Sequence, residues 1–202
     1  MAIVTAAEEE GIDIKWHVNG DAAVTATLDA LEAVSDQNGG LEQIHSFEHV
    51  VLVNEADLAR MQTLGVIASI QPVHYVVSGL GKAPDEWGDE RYGRSYDFAA
   101  FEAAGIELAM GTDWPVWPTV DPLVNIWAGT NARDAAVLTA AQGIEGYTEG
   151  TAATLGFDDL GHLSVGVLAD VVVFDADPLT VDEGDLTGIS VEAVYVGGRK
   201  VY

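Results

Sequence analysis

Histidine and aspartate recur in this chain where short apolar segments end. His17, His49 and Asp113 each stand at or near such an end, and Gln71 and His74 follow a further segment. Imidazole and carboxylate groups suit Zn²⁺ and similar divalent ions, and a carboxylate beside a metal-bound water can act as its base. One histidine alone is more simply explained as a partly buried, hydrogen-bonded residue. Two histidines and an aspartate at matching positions favour a metal site.

The elements that must position these residues are predicted to be strands alternating with helices. Strands are expected over 12–16, 47–51, 66–70 and 106–110, and helices over 22–34, 55–65 and 96–104. Strands that are short and apolar on both faces are typical of a parallel sheet covered by helices. The carboxyl ends of parallel strands meet at one edge of the sheet, where α/β proteins place their chemistry. The predicted fold class is therefore α/β.

The last third of the chain has a different pattern. Helices are predicted over 122–131 and 138–155, and apolar β segments follow at 161–163, 170–174 and 191–202. The last of these contains Gly197-Gly198 between two apolar runs, which indicates a hairpin. We therefore expect two parts, an α/β part over residues 1–158 and a small β part over residues 159–202.

The charge of the chain is strongly negative. It has 33 acidic against 8 basic residues, a net charge of −25 and a pI near 4.1, while 49% of its residues are hydrophobic. The acidic residues are spread along the whole chain, so the composition indicates a globular protein rather than an acidic tail. Such a surface repels phosphate backbones, which argues against nucleic-acid binding. It also favours a protein from a halophilic source, in which salt screens the self-repulsion.

Several site classes are excluded by what the sequence lacks. There is no cysteine, so disulfides, cysteine zinc sites and thiol catalysis are excluded. No apolar run is long enough to span a bilayer, and the acidic start does not resemble a secretory signal. We therefore expect a cytoplasmic protein that does not bind membranes.

Four segments resemble the C-terminal half of amidohydrolase-superfamily enzymes, in particular the amidohydrolase family 3 or YtcJ-like branch. HVNGDAAV (17–24) is similar to the motif after barrel strand five, and FEHVVLVNEADLARMQTLGVIASIQPVH (47–74) to strands six and seven. AAGIELAMGTDWPV (103–116) resembles strand eight. The segments 138–157 and 160–178 resemble the family's return to a β-sandwich, and G-x-L-x-x-G-x-L-A-D (161–170) is especially specific.

The resemblance implies half of a (β/α)₈ barrel, strands five to eight, with a small β-sandwich portion. It implies hydrolysis of a C–N bond in a small non-peptide amide by metal-activated water. His17 and His49 would be metal ligands, and Asp113 would be both a ligand and the proton acceptor. The metal would be a divalent ion, with zinc expected. Gln71, His74 and Trp114 are expected to contact substrate.

The sequence also departs from this family. It contains no His-x-His pair, which the family places at the end of strand one, and strands one to four are missing. Open sheet edges expose hydrogen-bonding groups and apolar surface. We therefore expect the chain to pair with a copy of itself or with a polypeptide that carries strands one to four. The alternatives to a hydrolase are a catalytically inactive regulatory or binding subunit and a truncated fragment.

Overall fold

The computed structural model describes residues 1–77, 87–131 and 137–202. Its centre is a four-stranded parallel sheet in the order β1-β2-β3-β4. The strands are β1 Ile14–Val18, β2 His45–His49, β3 Ile67–Ile70 and β4 Leu108–Met110. Because the strands are parallel and neighbours in sequence, their carboxyl ends lie at one edge. The prediction of an α/β fold with a parallel sheet is confirmed.

Helices connect and cover these strands. In chain order they are α1 Ala2–Glu10, α2 Asp21–Asn38, α3 Glu55–Leu64, α4 Val73–Val77, α5 Asp89–Arg94, α6 Phe98–Ala103, α7 Pro122–Asn131 and α8 Ala140–Glu145. In α2 the apolar residues recur at helical spacing, and Val24, Leu28, Leu31 and Val34 are all buried. The helix stops at Gly39, whose φ of 79° suits glycine and whose N–H bonds to the Ser35 carbonyl.

Helix α8 continues into a π-helical turn, Gly146–Gly150, and a short helix, α9 Thr151–Ala153. The π-turn packs directly on β4. A Cβ at Gly150 would lie 1.8 Å from the Leu108 carbonyl oxygen, so only glycine permits this approach. Thr151 then donates from its hydroxyl to the Met110 carbonyl at 3.2 Å. These contacts fix the end of β4, from which Asp113 follows.

A second, antiparallel sheet follows in the order β5-β6-β7. Its strands are β5 Val171–Phe174, β6 Val191–Val196 and β7 Arg199–Lys200, and a 3₁₀ helix, Glu183–Gly188, precedes β6. The turn at Gly197-Gly198 joins β6 to β7 as a hairpin, as the sequence indicates. Leu186 of the 3₁₀ helix is fully buried and belongs to the same apolar core as α2 and the central sheet.

Several sequence-based boundaries were wrong. Helix α1 was not predicted, and β1 runs over Ile14–Val18 rather than 12–16, so His17 lies inside the strand. Strand β2 begins at His45 and ends at His49, because His49 and Val50 both have positive φ and interrupt the extended backbone. The helix predicted over 138–155 is interrupted by the π-turn. Within the described ranges, no helix has both the length and the apolar character needed to cross a bilayer.

Candidate metal centre

Three side chains meet at the carboxyl edge of the central sheet: His49, His74 and Asp113, here called the metal cluster. One potential ligand atom from each lies within 4.8 Å of the other two. His49 ends β2, His74 lies in the first turn of α4 beyond β3, and Asp113 follows β4. Two imidazoles and a carboxylate form a donor set that suits zinc and similar ions.

The backbone directs two members of this cluster in an unusual way. His49 has a φ of 75° and Asp113 a φ of 58°, in the left-handed region that L residues rarely adopt. The next residue, Val50, also has a positive φ, yet its N–H still bonds to the Val18 carbonyl at 3.0 Å. Backbone of this kind concentrates at ligand-binding and catalytic sites.

His17 adjoins the metal cluster through His49. Nδ1 of His17 lies 3.2 Å from Nε2 of His49, and the other ring nitrogen of His17 lies 3.0 Å from the Asn19 amide. Two nitrogens that bind one tetrahedral Zn²⁺ at about 2.0–2.1 Å are about 3.3 Å apart. The spacing of His17 and His49 therefore fits two ligands of one ion.

His74 contacts the cluster on its other side. Its ring stacks on that of His49 with centroids 5.8 Å apart, and its Nε2 lies 3.9 Å from Oδ2 of Asp113. His74 is three-quarters or more buried, whereas Asp113 is more accessible. His74 thus packs on the His49 imidazole and lies near the Asp113 carboxylate.

The environment of His49 favours its neutral form. Burial lowers the pKa of His49 below its ordinary value, and the neighbouring His17 and His74 lower it further, whereas Asp113 acts in the opposite direction. A metal ligand must be a neutral imidazole, so this environment favours metal binding at neutral pH.

The metal cluster opens into a cleft of about 670 Å³. Apart from the cluster, its polar lining comprises His17, Asn19, Asp21 and Arg91. Its apolar lining comprises Val51, Leu52, Trp87, Tyr96 and Val116. The cleft therefore combines an apolar wall with a few polar groups, the usual composition of a small-molecule site.

A buried asparagine on α7 ties together the segments that carry His74 and Asp113. Asn125 is fully buried, and its Oδ1 accepts from the Val73 N–H at 2.8 Å. Its Nδ2 donates to the Gly111 carbonyl at 2.7 Å and to the Tyr147 hydroxyl at 2.8 Å. Val73 precedes His74 and Gly111 lies two residues before Asp113, so one amide fixes both segments.

Not every residue predicted to form the site meets there. Gln71 is buried and donates to Glu48 at 3.4 Å and to the Ser69 carbonyl at 3.2 Å. It also hydrogen-bonds His49 of the cluster, although it lies outside the lining of the cleft. Trp114 is exposed and also lies outside the lining. His74, predicted as a substrate contact, lies with His49 and Asp113 in the metal cluster. His45, at the start of β2, is buried against Glu8 of α1, away from the site.

Sequence reasoning missed Asn125. For Arg91 and Arg94 it left two roles open, orienting a substrate carboxylate or pairing with neighbouring acids, and favoured the pairing. Asn125 is an amide within an otherwise apolar helix, PLVNIWAGTN, and this isolated polar residue was the available signal. Arg91 is one of only eight basic residues in the chain. The sequence predicts a polar, aromatic loop over 76–94 as the specificity element. The structure places the end of α4 and all of α5 in this range, and residues 78–86 lie outside the described ranges.

Comparison with known proteins gives one consistent result. A model of the amidohydrolase family matches residues 1–202. The putative amidohydrolase YtcJ of Bacillus subtilis is 26% identical over 212 aligned residues, which cover 99% of this chain and 39% of YtcJ. The N-substituted formamide deformylase of Arthrobacter pascens is 26% identical over 203 residues, which cover 95% of this chain and 37% of that enzyme. The chain thus spans less than two fifths of the length of these relatives.

A solved structure agrees with these sequence matches. An uncharacterised metal-dependent hydrolase from Pyrococcus furiosus superposes with a TM-score of 0.76 and 31% identity. The superposition covers 89% of this chain and 36% of that protein.

Proposed function

This chain belongs to the amidohydrolase family, and on that premise we propose that it carries the metal-binding end of a hydrolase that cleaves a C–N bond in a small non-peptide amide. The observation that carries the proposal is the meeting of His49, His74 and Asp113 within 4.8 Å, at the carboxyl edge of a parallel sheet. The similarity to a deformylase of N-substituted formamides supports a C–N bond as the point of attack.

We propose that His49 and Asp113 hold a divalent ion, zinc by preference, with His17 and His74 on either side. When bound, the ion supplies Lewis acidity, which lowers the pKa of a water molecule towards neutrality and polarises the amide carbonyl. Asp113 accepts the proton of the attacking water on its carboxylate. The protonated Asp113 then gives that proton to the leaving amine. His74, whose Nε2 lies 3.9 Å from Asp113, faces the same carboxylate.

We propose further that the four parallel strands are strands five to eight of a (β/α)₈ barrel and that residues outside this sequence supply the other four. Strands β1 and β4 stand at the two edges of the sheet. The second sheet exposes Val172 and Val196, and Val201 directly after β7 is exposed as well. The open sheet edges and the exposed valines support a partner segment that completes the barrel and the sandwich. So does the fact that the chain spans less than two fifths of the length of these relatives.

The metal site is tested first by zinc binding. Elemental analysis and competition with a chromophoric chelator should give one bound Zn²⁺ per chain. H49A or D113N should weaken zinc affinity by more than about 100-fold. Loss of a residue that only hydrogen-bonds a metal ligand typically weakens affinity about 10- to 100-fold. The zinc affinities of H17A and H74A show which of these two imidazoles is the further ligand of the ion. H162A, a histidine in the C-terminal part, is the matched control and should bind zinc like the unaltered chain.

The reaction is tested second, with the chain mixed with a polypeptide that carries the first half of a homologous amidohydrolase. Zinc-dependent hydrolysis of N-substituted formamides and N-acyl compounds, abolished by a chelator and by D113N, is the expected result. Zinc binding without turnover would favour the alternative, an inactive regulatory or binding subunit. Absence of both would identify a fragment without activity. Light scattering that shows a stable 21 kDa particle throughout would contradict the proposed association.

A further inference from the structure

Arg91 brings a positive charge into the cleft that contains the metal cluster. It lies on α5, and its side chain is 57% exposed, although it lines the cleft. The chain carries a net charge of −25 and has only eight basic residues. A guanidinium that faces the same cleft as the metal cluster is therefore a distinctive feature of this site.

The guanidinium is oriented by one carboxylate. Nε of Arg91 lies 3.3 Å from Oδ2 of Asp21, whose side chain is only 18% exposed. Oδ1 of Asp21 in turn accepts from the Ala22 N–H at 2.9 Å, in the first turn of α2. Among the residues that the structure describes, the two terminal nitrogens of Arg91 have no hydrogen-bonding partner. The parallel pair of donors that recognises a carboxylate is thus left available.

Asp21 has a second basic neighbour. Nη2 of Arg94 also lies 4.0 Å from Oδ2 of Asp21, so two guanidinium groups share one anchored carboxylate. Glu90 reaches Arg94 at 3.8 Å, but its side chain is 90% exposed and its effect is screened by water. Among the described residues that line the cleft, Arg91 is thus the basic side chain, beside the acidic Asp21 and Asp113.

From these contacts we propose that Arg91 binds a carboxylate of the substrate, and that the substrate is an amide that also bears an apolar group, as in an acylated amino acid. The apolar wall of Val51, Leu52 and Trp87 would receive the apolar group. This inference rests on the proposed function. A net charge of −25 repels anions at long range, so recognition must be local, and salt screens that repulsion.

The test compares N-acetylleucine with its neutral amide, N-acetylleucinamide. Binding is measured by ligand-observed NMR titration in 2 M KCl on metal-free chain, so that the carboxylate cannot be bound by an ion. The unaltered chain should bind the anion about tenfold more tightly than the amide, as expected for a charge-assisted, two-point contact. R91Q should abolish that preference, and R91K, which keeps the charge without the planar fork, should retain part of it.

R199Q, an exposed arginine change in the second sheet, is the matched control and should keep the full preference. Equal binding of the two ligands, binding of neither, or an unchanged preference in R91Q would overturn the inference. The proposed function fails separately, by absence of zinc-dependent turnover. An Arg91-dependent preference in a chain without turnover would still support the carboxylate site.

Discussion

The cluster depends on residues that hold uncommon backbone angles. His49 at φ 75° and Asp113 at φ 58° each cost about 1–3 kcal/mol relative to a relaxed backbone. Such angles persist only where the surroundings determine them. Asn125 holds the segments that carry His74 and Asp113, because its one amide hydrogen-bonds to the backbone of both. Asn125 is therefore expected to position the metal cluster although it lies outside it.

The change N125L should weaken zinc binding about tenfold, the lower range found when a partner of a metal ligand is lost. It removes the bonds to the Val73 N–H and the Gly111 carbonyl, and the segments they hold should move apart. Competition with a chromophoric chelator measures the affinity, and circular dichroism checks the fold. N131L, an exposed position on the same helix, should leave affinity unchanged. Unaltered zinc affinity in a folded N125L would show that Asn125 only stabilises the core.

The sequence was informative about the cluster to different degrees. His49 and Asp113 could be found because a strand end is visible as a change from apolar to polar residues. His74 was placed among the substrate contacts because no pattern shows that α4 turns it back towards His49. Asn125 was not found and the role of Arg91 stayed open, since their partners lie 14 to 70 residues away in the chain, as with Gly111 and Asp21. Contacts at such separation follow from packing, which local patterns do not encode.

At the scale of elements, helices α2 and α3 are joined by a polar network. Arg60 donates to Asp57, Asp29 and Glu32 at 2.6–2.8 Å, and Thr25 donates to Asp57 at 2.5 Å. Burial alone would raise the pKa of Asp57, but hydrogen bonds from Thr25, Arg60 and Asn54 outweigh it and hold that pKa below its usual value. The Asp57 side chain is only 4% exposed, so the network replaces water that the carboxylate has lost.

D57A should lower the free energy of unfolding at pH 7 by about 2–3 kcal/mol, because three donors lose a buried, charged acceptor. Thermal and urea unfolding measure the difference. D36A, an exposed change in α2, should change the free energy of unfolding by no more than about 0.5 kcal/mol.

The pKa of Asp57 is lowered in the folded state. The stabilisation that Asp57 gives is therefore complete above about pH 4 and is lost as pH falls through the folded pKa. A deficit that stays constant down to pH 2 would contradict this assignment.

At the scale of the whole molecule, charge dominates. The chain has 33 acidic and 8 basic residues, so few carboxylates find a cation. The acidic residues lie mainly in helices and connecting segments, while the strands carry only Glu48 and Glu192. The Arg60 network and the pair of Arg91 and Arg94 use three of those eight cations. The remaining acidic side chains repel one another across the surface, which destabilises the compact state in dilute buffer.

We therefore expect the unfolding temperature to rise between 0.1 and 3 M KCl, with most of the increase below about 1 M, where the Debye length has already fallen to about 3 Å. Differential scanning fluorimetry at fixed pH measures it. Sucrose of matched osmolality is the control, because it strengthens burial without screening charge and should reproduce only a minor part of the increase. An unfolding temperature that is flat or falls with KCl would contradict both the screening argument and the proposed halophilic origin. An increase that continues linearly to 3 M would instead point to salt acting on apolar hydration, since screening is nearly complete by then.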